Sequence, residues 1–317
     1  MSNLRKTIVT GGAGFIGSHL AEELTRRDYQ VTILDDLSTG KKENVTELLR
    51  NADVEFVQGS ITNISLLREV FRDAGYVFHE AAISSVPQSI DNPLASHEGN
   101  ITGTLNVLLA ARDNGAKKVI FASSSSVYGD TAVLPKKEDM TPSPRSPYAV
   151  SKLAGEYYCQ VFSQVYGLPT VCLRFFNVYG PRQDPDSPYA AVIPLFIKRL
   201  CEGKPPIIFG DGTQTRDFTF VKDAVDANIL LAQSDASGVF NISQGKSITI
   251  NQLAELIIKL VGSNKIKPIY QEPRPGDILH SLADISKAKV FGYEPKYSLE
   301  EGLRETIESF EYDIRRG

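Results

Sequence analysis

A tyrosine and a lysine four residues apart, in the stretch SPYAVSK (146–152), are the first candidates for chemistry in this chain. Residues i and i+4 lie on one face of an α-helix, so the ammonium of Lys152 would lie near the phenol of Tyr148. A nearby cation favours phenolate and lowers the pKa of a tyrosine, which is ordinarily about 10. Tyr148 is therefore a candidate general base, although the pair also fits a surface helix without chemistry.

A second candidate is the glycine-rich stretch GGAGFIGSHL (11–20), which directly follows the apolar run KTIVT (6–10). Gly11, Gly14 and Gly17 recur every three residues at this predicted strand-to-helix turn. Glycines there allow backbone N–H groups to approach a pyrophosphate, and the helix N-terminus favours the anion. The stretch therefore predicts a dinucleotide site.

The second predicted strand ends at Asp35, 18 residues after Gly17. A carboxylate at this place accepts hydrogen bonds from the adenosine ribose and repels a 2′-phosphate, so NAD is favoured over NADP. Asp36 adds to the repulsion, whereas Lys41 and Lys42 leave NADP as the alternative.

The scaffold that would position these groups is predicted by apolar runs that alternate with helical patterns. The predicted strands are KTIVT (6–10), QVTILD (30–35), VEFVQ (54–58), YVFHEA (76–81), KKVIFAS (117–123) and PTVCLR (169–174). The predicted helices between them include Phe15–Arg27, Ala95–Asn114 and Tyr148–Tyr166. Continuous apolar runs are typical of parallel strands covered on both faces, so we expect an α/β fold with a Rossmann-like, doubly wound parallel sheet.

The alternation breaks after about residue 175, where loops rich in proline and glycine begin. We expect a nucleotide-binding domain over 1–175, with later segments near 217–243 returning to it. The remainder, 176–317, is expected to be mainly a smaller C-terminal α/β region that binds substrate.

Composition excludes several classes of function. The chain has 317 residues, of which 42% are hydrophobic and 23% charged, as in ordinary globular proteins. A net charge of −4 argues against general binding of nucleic acid or anionic membranes. The early first strand leaves no room for a signal peptide and no apolar run suits a membrane span, so a cytoplasmic location is expected. The three cysteines and four histidines lack metal-ligand spacing, so no metal is predicted.

The three glycines, the segment SSSSVYG (123–129) and the Tyr-x-x-x-Lys pair together carry a family resemblance. The sequence resembles the extended short-chain dehydrogenase/reductases, and among them the nucleotide-sugar 4-epimerases. The likeness extends from TGGAGFIGSHL to ADISKA (283–288). It implies a homodimer, formed through the helices near 95–114 and 148–166. Leu105, Leu108 and Leu109 suit that contact, and they suit an ordinary core helix equally well.

The resemblance implies that Ser124, Tyr148 and Lys152 are catalytic. Ser124 would hold the O4 hydroxyl of the sugar, Tyr148 would remove its proton, and Lys152 would also bind the nicotinamide ribose. Ser123 and Ser125 remain alternatives to Ser124, because four serines follow one another.

The implied reaction is C4 epimerisation of a UDP-hexose through a 4-keto intermediate, with NAD as the resident cofactor. The implied cofactor-binding residues are Gly11, Gly14, Phe15, Ile16, Gly17, Asp35, Asp36, Ser38, Gly40, Ser60, Ile61, Ala81, Ala82, Tyr148 and Lys152. Ser60 stands where many relatives have an aspartate that contacts adenine. Dehydratases and decarboxylases of the family carry an acid next to the catalytic serine or threonine, whereas Ser125 and Ser126 follow Ser124 here.

The resemblance also assigns residues to the UDP-sugar. Arg216 and Arg274 match contacts to the diphosphate, Asn177 a phosphate contact, Asp277 a ribose contact and Ile208 the edge of the base. Ser84, Ser85, Ser124, Ser125, Gln183, Tyr189, Ala190, Val192 and Ser281 complete the implied substrate site. A small residue at 281, where glucose-specific relatives have tyrosine, implies space for an N-acetyl group. Activity on UDP-GlcNAc/GalNAc and UDP-Glc/Gal is therefore expected.

Three alternatives remain on the sequence alone. They are a net NAD-dependent oxidoreductase, a UDP-glucuronate 4-epimerase and a non-catalytic protein that senses NAD. A glucuronate enzyme would need a cation near the C6 carboxylate, and the sequence places none there.

Overall fold

The computed structural model describes residues 6–187, 190–263, 265–273 and 278–316, with side chains to residue 312. Its strands are β1 (Lys6–Thr10), β2 (Gln30–Asp35), β3 (Val54–Gln58), β4 (Tyr76–His79), β5 (Lys118–Ser124), β6 (Thr170–Phe175), β7 (Val178–Tyr179), β8 (Ile207–Phe209), β9 (Thr215–Asp217), β10 (Thr219–Phe220), β11 (Gly238–Ile242), β12 (Ser247–Thr249) and β13 (Ile269–Gln271). Its helices are α1 (Phe15–Arg26), α2 (Ile64–Val70), α3 (Val86–Asp91), α4 (Pro93–His97), α5 (Gly103–Asp113), α6 (Pro147–Tyr166), α7 (Val192–Cys201), α8 (Val221–Gln233), α9 (Ile250–Val261), α10 (Ser286–Val290) and α11 (Leu299–Arg316). Within these ranges, no helix has both the length and the apolar character needed to cross a membrane.

Seven strands form one sheet in the order β11-β6-β5-β4-β1-β2-β3, and each neighbouring pair is parallel. The predicted doubly wound parallel sheet is therefore confirmed. The strand order reverses between β1 and β4, and ligands of such folds bind outside the carboxyl ends of the strands at that point.

Helices cover both faces of the sheet. On one face α1 packs against α8, and on the other α2, α5 and α6 pack side by side. A third apolar cluster joins α7, α9 and α11 in the C-terminal part, beside the short strand pairs β7–β10, β8–β13 and β9–β12. The cleft between this part and the sheet edge lies next to the carboxyl ends of the strands.

The helix predicted over 95–114 consists of three pieces. A π-helical turn, Glu98–Thr102, separates α4 from α5. Asn100 in this turn accepts a hydrogen bond from the Ile83 N–H at 2.8 Å and donates to the Ile83 carbonyl at 3.0 Å and to the Ser151 hydroxyl at 3.0 Å. π-Helical turns often occur at functional sites, and this one fixes the loop after β4 against α6.

A buried hydrogen-bond chain fixes the ends of β1 and β4. The Thr104 hydroxyl donates to the Asn100 carbonyl, so it accepts from Nε2 of His79 at 2.9 Å. Nδ1 of His79 then accepts from the Thr10 hydroxyl at 2.8 Å. Burial lowers the pKa of His79 to about 3, so the ring is neutral and links the two strands to α5.

Candidate active site

A cavity of about 670 Å³ lies at the carboxyl edge of the sheet. Of the residues predicted to bind cofactor, it is lined by Gly11, Gly14, Phe15, Ile16, Gly17, Asp35, Asp36, Ser38, Ser60, Ile61, Ala81, Ala82, Tyr148 and Lys152. Gly40 is the exception among the described residues, because it packs against Asp35, where an added Cβ would lie 2.7 Å from Oδ1. The volume is in the range of small-molecule and cofactor sites.

The turn between β1 and α1 requires glycine for two reasons. Gly11 has φ +68°, and an added Cβ would lie 2.6 Å from the backbone nitrogen of Ala81. A Cβ at Gly17 would lie 2.1 Å from the carbonyl oxygen of Gly11. Gly14 is the N-cap of α1 and has no side chain that could accept hydrogen bonds from the first N–H groups of the helix. Those N–H groups are therefore accessible to an anion. This cradle fits the pyrophosphate of a dinucleotide.

The acidic end of β2 is fixed by the backbone around it. Asp35 accepts hydrogen bonds from the N–H groups of Ala13 at 2.9 Å and Leu37 at 2.8 Å. Burial raises the pKa of Asp35, and the two hydrogen bonds oppose that rise. Each carboxylate oxygen keeps a further lone pair for a ribose hydroxyl.

Lys41 and Lys42, which kept NADP as an alternative cofactor in the sequence analysis, each contact another residue. Nζ of Lys41 lies 3.3 Å from Asp184, and Nζ of Lys42 lies 5.4 Å from the ring centre of Phe56. Each ammonium therefore has a partner other than Asp35 in this structure.

The four serines after β5 have different environments. The Ser123 hydroxyl donates to Glu156, which is buried and paired with Arg174. The Ser124 hydroxyl accepts from the Ser126 N–H at 3.2 Å and hydrogen-bonds to the phenol of Tyr148. All four serines line the cavity, but the Ser123 hydroxyl is used by the buried Glu156. The geometry therefore favours Ser124 and Ser125 over Ser123 as contacts to substrate.

Tyr148 and Lys152 lie one turn apart on α6, as predicted, but their coupling differs from the prediction. Burial raises the pKa of Tyr148, the Ser124 hydrogen bond lowers it, and the charge of Glu80 raises it. Nζ of Lys152 donates to the Ala122 carbonyl at 2.8 Å and lies 5.9 Å from the phenol ring centre. The prediction that Lys152 lowers this pKa is wrong for the protein's own groups, because burial dominates.

Sequence reasoning missed Glu80, which also lines the cavity. It follows β4, and burial raises the pKa of its carboxyl to about 7 while the charge of Lys152 lowers it. The available signal was a charged residue within the apolar run YVFHEA at the carboxyl edge of the sheet.

A second cavity, of about 400 Å³, adjoins the first, and Asn177 lines both. Of the residues predicted to bind substrate, the second is also lined by Gln183, Ala190, Val192, Ile208 and Arg216, while Ser84, Ser124 and Ser125 line the first. Asn177 has φ +36° and donates to the Asp217 carbonyl at 2.9 Å. Such a conformation is uncommon outside glycine and is frequent at functional sites.

Two other predicted substrate contacts, Ser85 and Ser281, lie off both cavities. Ser85 caps α3 by accepting from the Gln88 N–H at 3.1 Å, and it does not line either cavity. Ser281 is buried off the cavity walls, with its N–H donating to the Thr215 carbonyl at 3.2 Å. Tyr189, Arg274 and Asp277 lie outside the described residues.

Comparison with known proteins identifies the family. The model of the NAD dependent epimerase/dehydratase family matches residues 7–243. This chain belongs to that family. This match confirms the family resemblance stated from the sequence, and it confirms NAD as the cofactor. In this chain, the residues that fit NAD are the glycine cradle and Asp35.

The chain is also similar to individual members. The UDP-N-acetylglucosamine 4-epimerase of Methanobrevibacter ruminantium M1, solved with UDP-N-acetylmuramic acid, is 45% identical, with a TM-score of 0.94 and coverage of 99% of this chain and 100% of the other. The UDP-glucose 4-epimerase of Thermotoga maritima, solved with UDP-glucose, is 41% identical, with a TM-score of 0.93 and coverage of 98% and 99%. A UDP-glucuronate 4-epimerase of Thermodesulfobacterium geofontis is 38% identical over 95% of this chain and 94% of the relative.

Proposed function

We propose that the protein interconverts UDP-hexoses epimeric at C4, using a resident NAD. The observation that carries the proposal is one cavity that contains the glycine cradle together with Ser124, Tyr148 and Lys152, next to a second cavity with Arg216. The first suits a dinucleotide and a reacting sugar, and the second suits a nucleoside diphosphate.

NAD held by the glycine cradle and Asp35 would supply the acceptor and donor of the C4 hydride in the proposed reaction. The Tyr148 phenolate removes the O4 proton as the hydride leaves and gives the proton back when the hydride returns. Ser124 donates to the substrate oxygen and keeps it beside the phenol. No net redox change occurs, so the cofactor need not leave between turnovers.

Forming the phenolate requires a change of electrostatics, since burial raises the pKa of Tyr148. The positive charge of the oxidised nicotinamide is the cation expected to lower it, because Lys152 is held by the Ala122 carbonyl. NAD-loaded protein is therefore the form in which Tyr148 acts as a base.

The proposed substrates include the N-acetylated sugars as well as UDP-Glc and UDP-Gal. The segment of Ser281 runs between the cavities: Ile278 lines the first, and the backbone of Ser281 binds Thr215 next to Arg216. A tyrosine at 281 would need more space than the buried serine occupies, and we propose that it would narrow the sugar site.

A matched pair of variants tests this selectivity. Ser281→Tyr is expected to abolish turnover of UDP-GlcNAc and UDP-GalNAc and to retain that of UDP-Glc and UDP-Gal. Ser281→Ala is the control and should retain both activities. Equal loss on both sugar classes in Ser281→Tyr would reject the selectivity proposal.

UDP-glucuronate is the second candidate substrate, because one similar protein carries that name. Among the described residues that line the first cavity, Lys152 is the only cation, and it donates to Ala122. A C6 carboxylate would need a cation of its own, so neutral sugars are favoured.

One experiment separates the proposed function from its alternatives. Purified protein is incubated with UDP-GlcNAc, UDP-Glc or UDP-glucuronate, without added cofactor, and the C4 epimers are quantified. The proposal predicts epimers of the first two. Stoichiometric NADH with an oxidised product would indicate a net oxidoreductase, and NAD binding without turnover would indicate a sensor.

We also propose a homodimer, formed on α6 and α4. Tyr157, Val161 and Val165 form a helical stripe of residues that are 54%, 46% and 66% exposed, and Leu94 on the neighbouring α4 is 81% exposed. Paired with a second copy, these helices give a four-helix contact. The leucines suggested from sequence pack inward instead: Leu108 is fully buried, and Leu105 and Leu109 pack on the same core.

Val161→Glu tests the dimer by placing a charge in the stripe. Gel filtration with light scattering should show a dimer for the unmodified protein and a monomer for the variant. Gln233→Glu, on the opposite face of the sheet, is the control and should remain a dimer. A monomer for the unmodified protein would reject the proposal.

A further inference from the structure

Glu80 lies at the carboxyl end of β4, between the cofactor cradle and α6. Its N–H donates to the Thr10 carbonyl at 3.1 Å, which fixes its backbone against β1. Its side chain lines the cavity that contains Tyr148 and Lys152. Its oxygen Oε1 is buried and has no hydrogen-bond partner among the described residues. A buried carboxyl oxygen without a partner is rare and needs an explanation.

Asn228 of α8 is the polar neighbour of Glu80 on the far side. Its Nδ2 donates to the Ala224 carbonyl at 3.1 Å, which fixes the orientation of the amide, and the nearby amide lowers the pKa of Glu80. Its Oδ1 is likewise buried without a donor among the described residues. Glu80 Oε1 and Asn228 Oδ1 are therefore two buried acceptors that lack a donor within the described part of the chain. A proton on the Glu80 carboxyl would supply a donor, so this environment favours a carboxyl that can carry a proton at neutral pH.

The charge of Glu80 reaches both residues of the proposed catalytic pair. It raises the pKa of Lys152, which burial lowers to about 8, and it raises the pKa of Tyr148. The buried ammonium and carboxylate therefore stabilise each other, whereas the carboxylate and a phenolate repel. Other titratable groups of this region are His79 on β4, which is neutral, and Asp35 and Asp36 at the end of β2 on the wall of the same cavity, whereas α8 places the uncharged Asn228 near Glu80.

We propose that Glu80 is a positioning residue: its carboxylate is the buried counter-ion that keeps Lys152 protonated, and its charge opposes phenolate formation at Tyr148. The amide of Asn228 favours the charged form of this carboxyl. The protonation state of Glu80 thereby sets the pH range in which Tyr148 and Lys152 carry the charges that the reaction needs. The inference depends on the proposed function for the role of Tyr148 in turnover.

The test is Glu80→Gln, which keeps the size and polarity of the side chain but removes the charge. The phenolate of Tyr148 is titrated by ultraviolet difference spectroscopy on NAD-loaded protein, with Tyr148→Phe in the same background subtracted. The phenolate should form at a pH about one unit lower in Glu80→Gln than in the unmodified protein. In Asn228→Ala the phenolate should also form at lower pH, but with a smaller shift, because loss of the amide favours neutral Glu80. Glu55→Gln, at an exposed position, should cause no shift.

Turnover gives an independent second reading. In Glu80→Gln, both limbs of the pH profile of kcat/KM should move to lower pH, because Tyr148 and Lys152 each lose their proton more easily. A uniform fall in rate with both limbs unchanged would assign Glu80 a merely structural role and overturn the proposal. An unchanged phenolate titration would also overturn the proposal. That titration needs no substrate, so its failure can be distinguished from a failure of the proposed function.

Discussion

Replacing Gly11 with alanine tests the cofactor cradle through its closest backbone contact. The added methyl group would lie 2.6 Å from the nitrogen and 2.7 Å from the Cα of Ala81. Both are backbone atoms of the segment after β4, which the Asn100 hydrogen bonds to Ile83 hold in place. Rotamer changes cannot relieve the overlap, so the β1 turn and the β4 loop must separate.

The size of the effect follows from two contributions. Alanine at φ +68° costs about 1–2 kcal/mol in the left-handed region, and overpacking against a fixed neighbour costs about 1–3 kcal/mol. Gly11→Ala is therefore expected to lose about 2–5 kcal/mol of unfolding free energy. Gly167 also has φ +68° but no atom within 4 Å of an added Cβ, so Gly167→Ala isolates the conformational contribution, about 1–2 kcal/mol.

The assay is urea unfolding of both variants and the unmodified protein, with and without saturating NAD, together with the NAD content of each purified protein. Gly11→Ala should lose most of its bound NAD and most of the stabilisation that NAD adds. Gly167→Ala should keep both. Equal destabilisation of the two variants, with NAD retained in both, would refute the reasoning about the close approach.

Two further predictions concern buried charge. Below pH about 6.5 the unfolded chain protonates His79, whereas the folded chain does so only near pH 3, so the unfolding free energy falls as pH drops through this window. His79→Gln should reduce the slope by up to about 1.4 kcal/mol per pH unit in urea unfolding at a series of pH values, and an unchanged slope would count against a buried neutral ring. Glu156→Gln leaves Arg174, 3% exposed, without its counter-ion and should cost about 3–5 kcal/mol in the same assay. Glu300→Gln, in an exposed pair with Arg304, should cost less than about 1 kcal/mol, and a similar cost for both would contradict the role of burial.

Periodicity and glycine spacing predicted the parallel sheet and the glycine turn after β1, because these features depend on neighbours close in sequence. Each long strand of the first half begins and ends within two residues of its predicted bounds. The π-helical turn inside the predicted helix 95–114 was missed, since its cause is the long-range contact of Asn100 with Ile83 and Ser151.

The electrostatics of the site could not be predicted from residue spacing. The i, i+4 pair places Lys152 near Tyr148, but only the fold shows that the ammonium is used by the Ala122 carbonyl. Burial and the charge of Glu80 then reverse the expected direction of the pKa of Tyr148. Ser123 likewise stayed an alternative to Ser124 in the sequence, and its hydrogen bond to the buried Glu156 distinguishes it.

The central claim is that the Tyr148 phenol exchanges the O4 proton with the sugar, and Tyr148→Phe tests it most directly. Turnover of UDP-Glc and UDP-GlcNAc should be measured on NAD-loaded protein, beside calorimetric binding of each UDP-sugar. We predict that kcat falls at least about 100-fold while the dissociation constants stay within about threefold, because phenylalanine keeps the ring but loses the acid–base group. A variant that turns over at the rate of the unmodified protein would contradict the account.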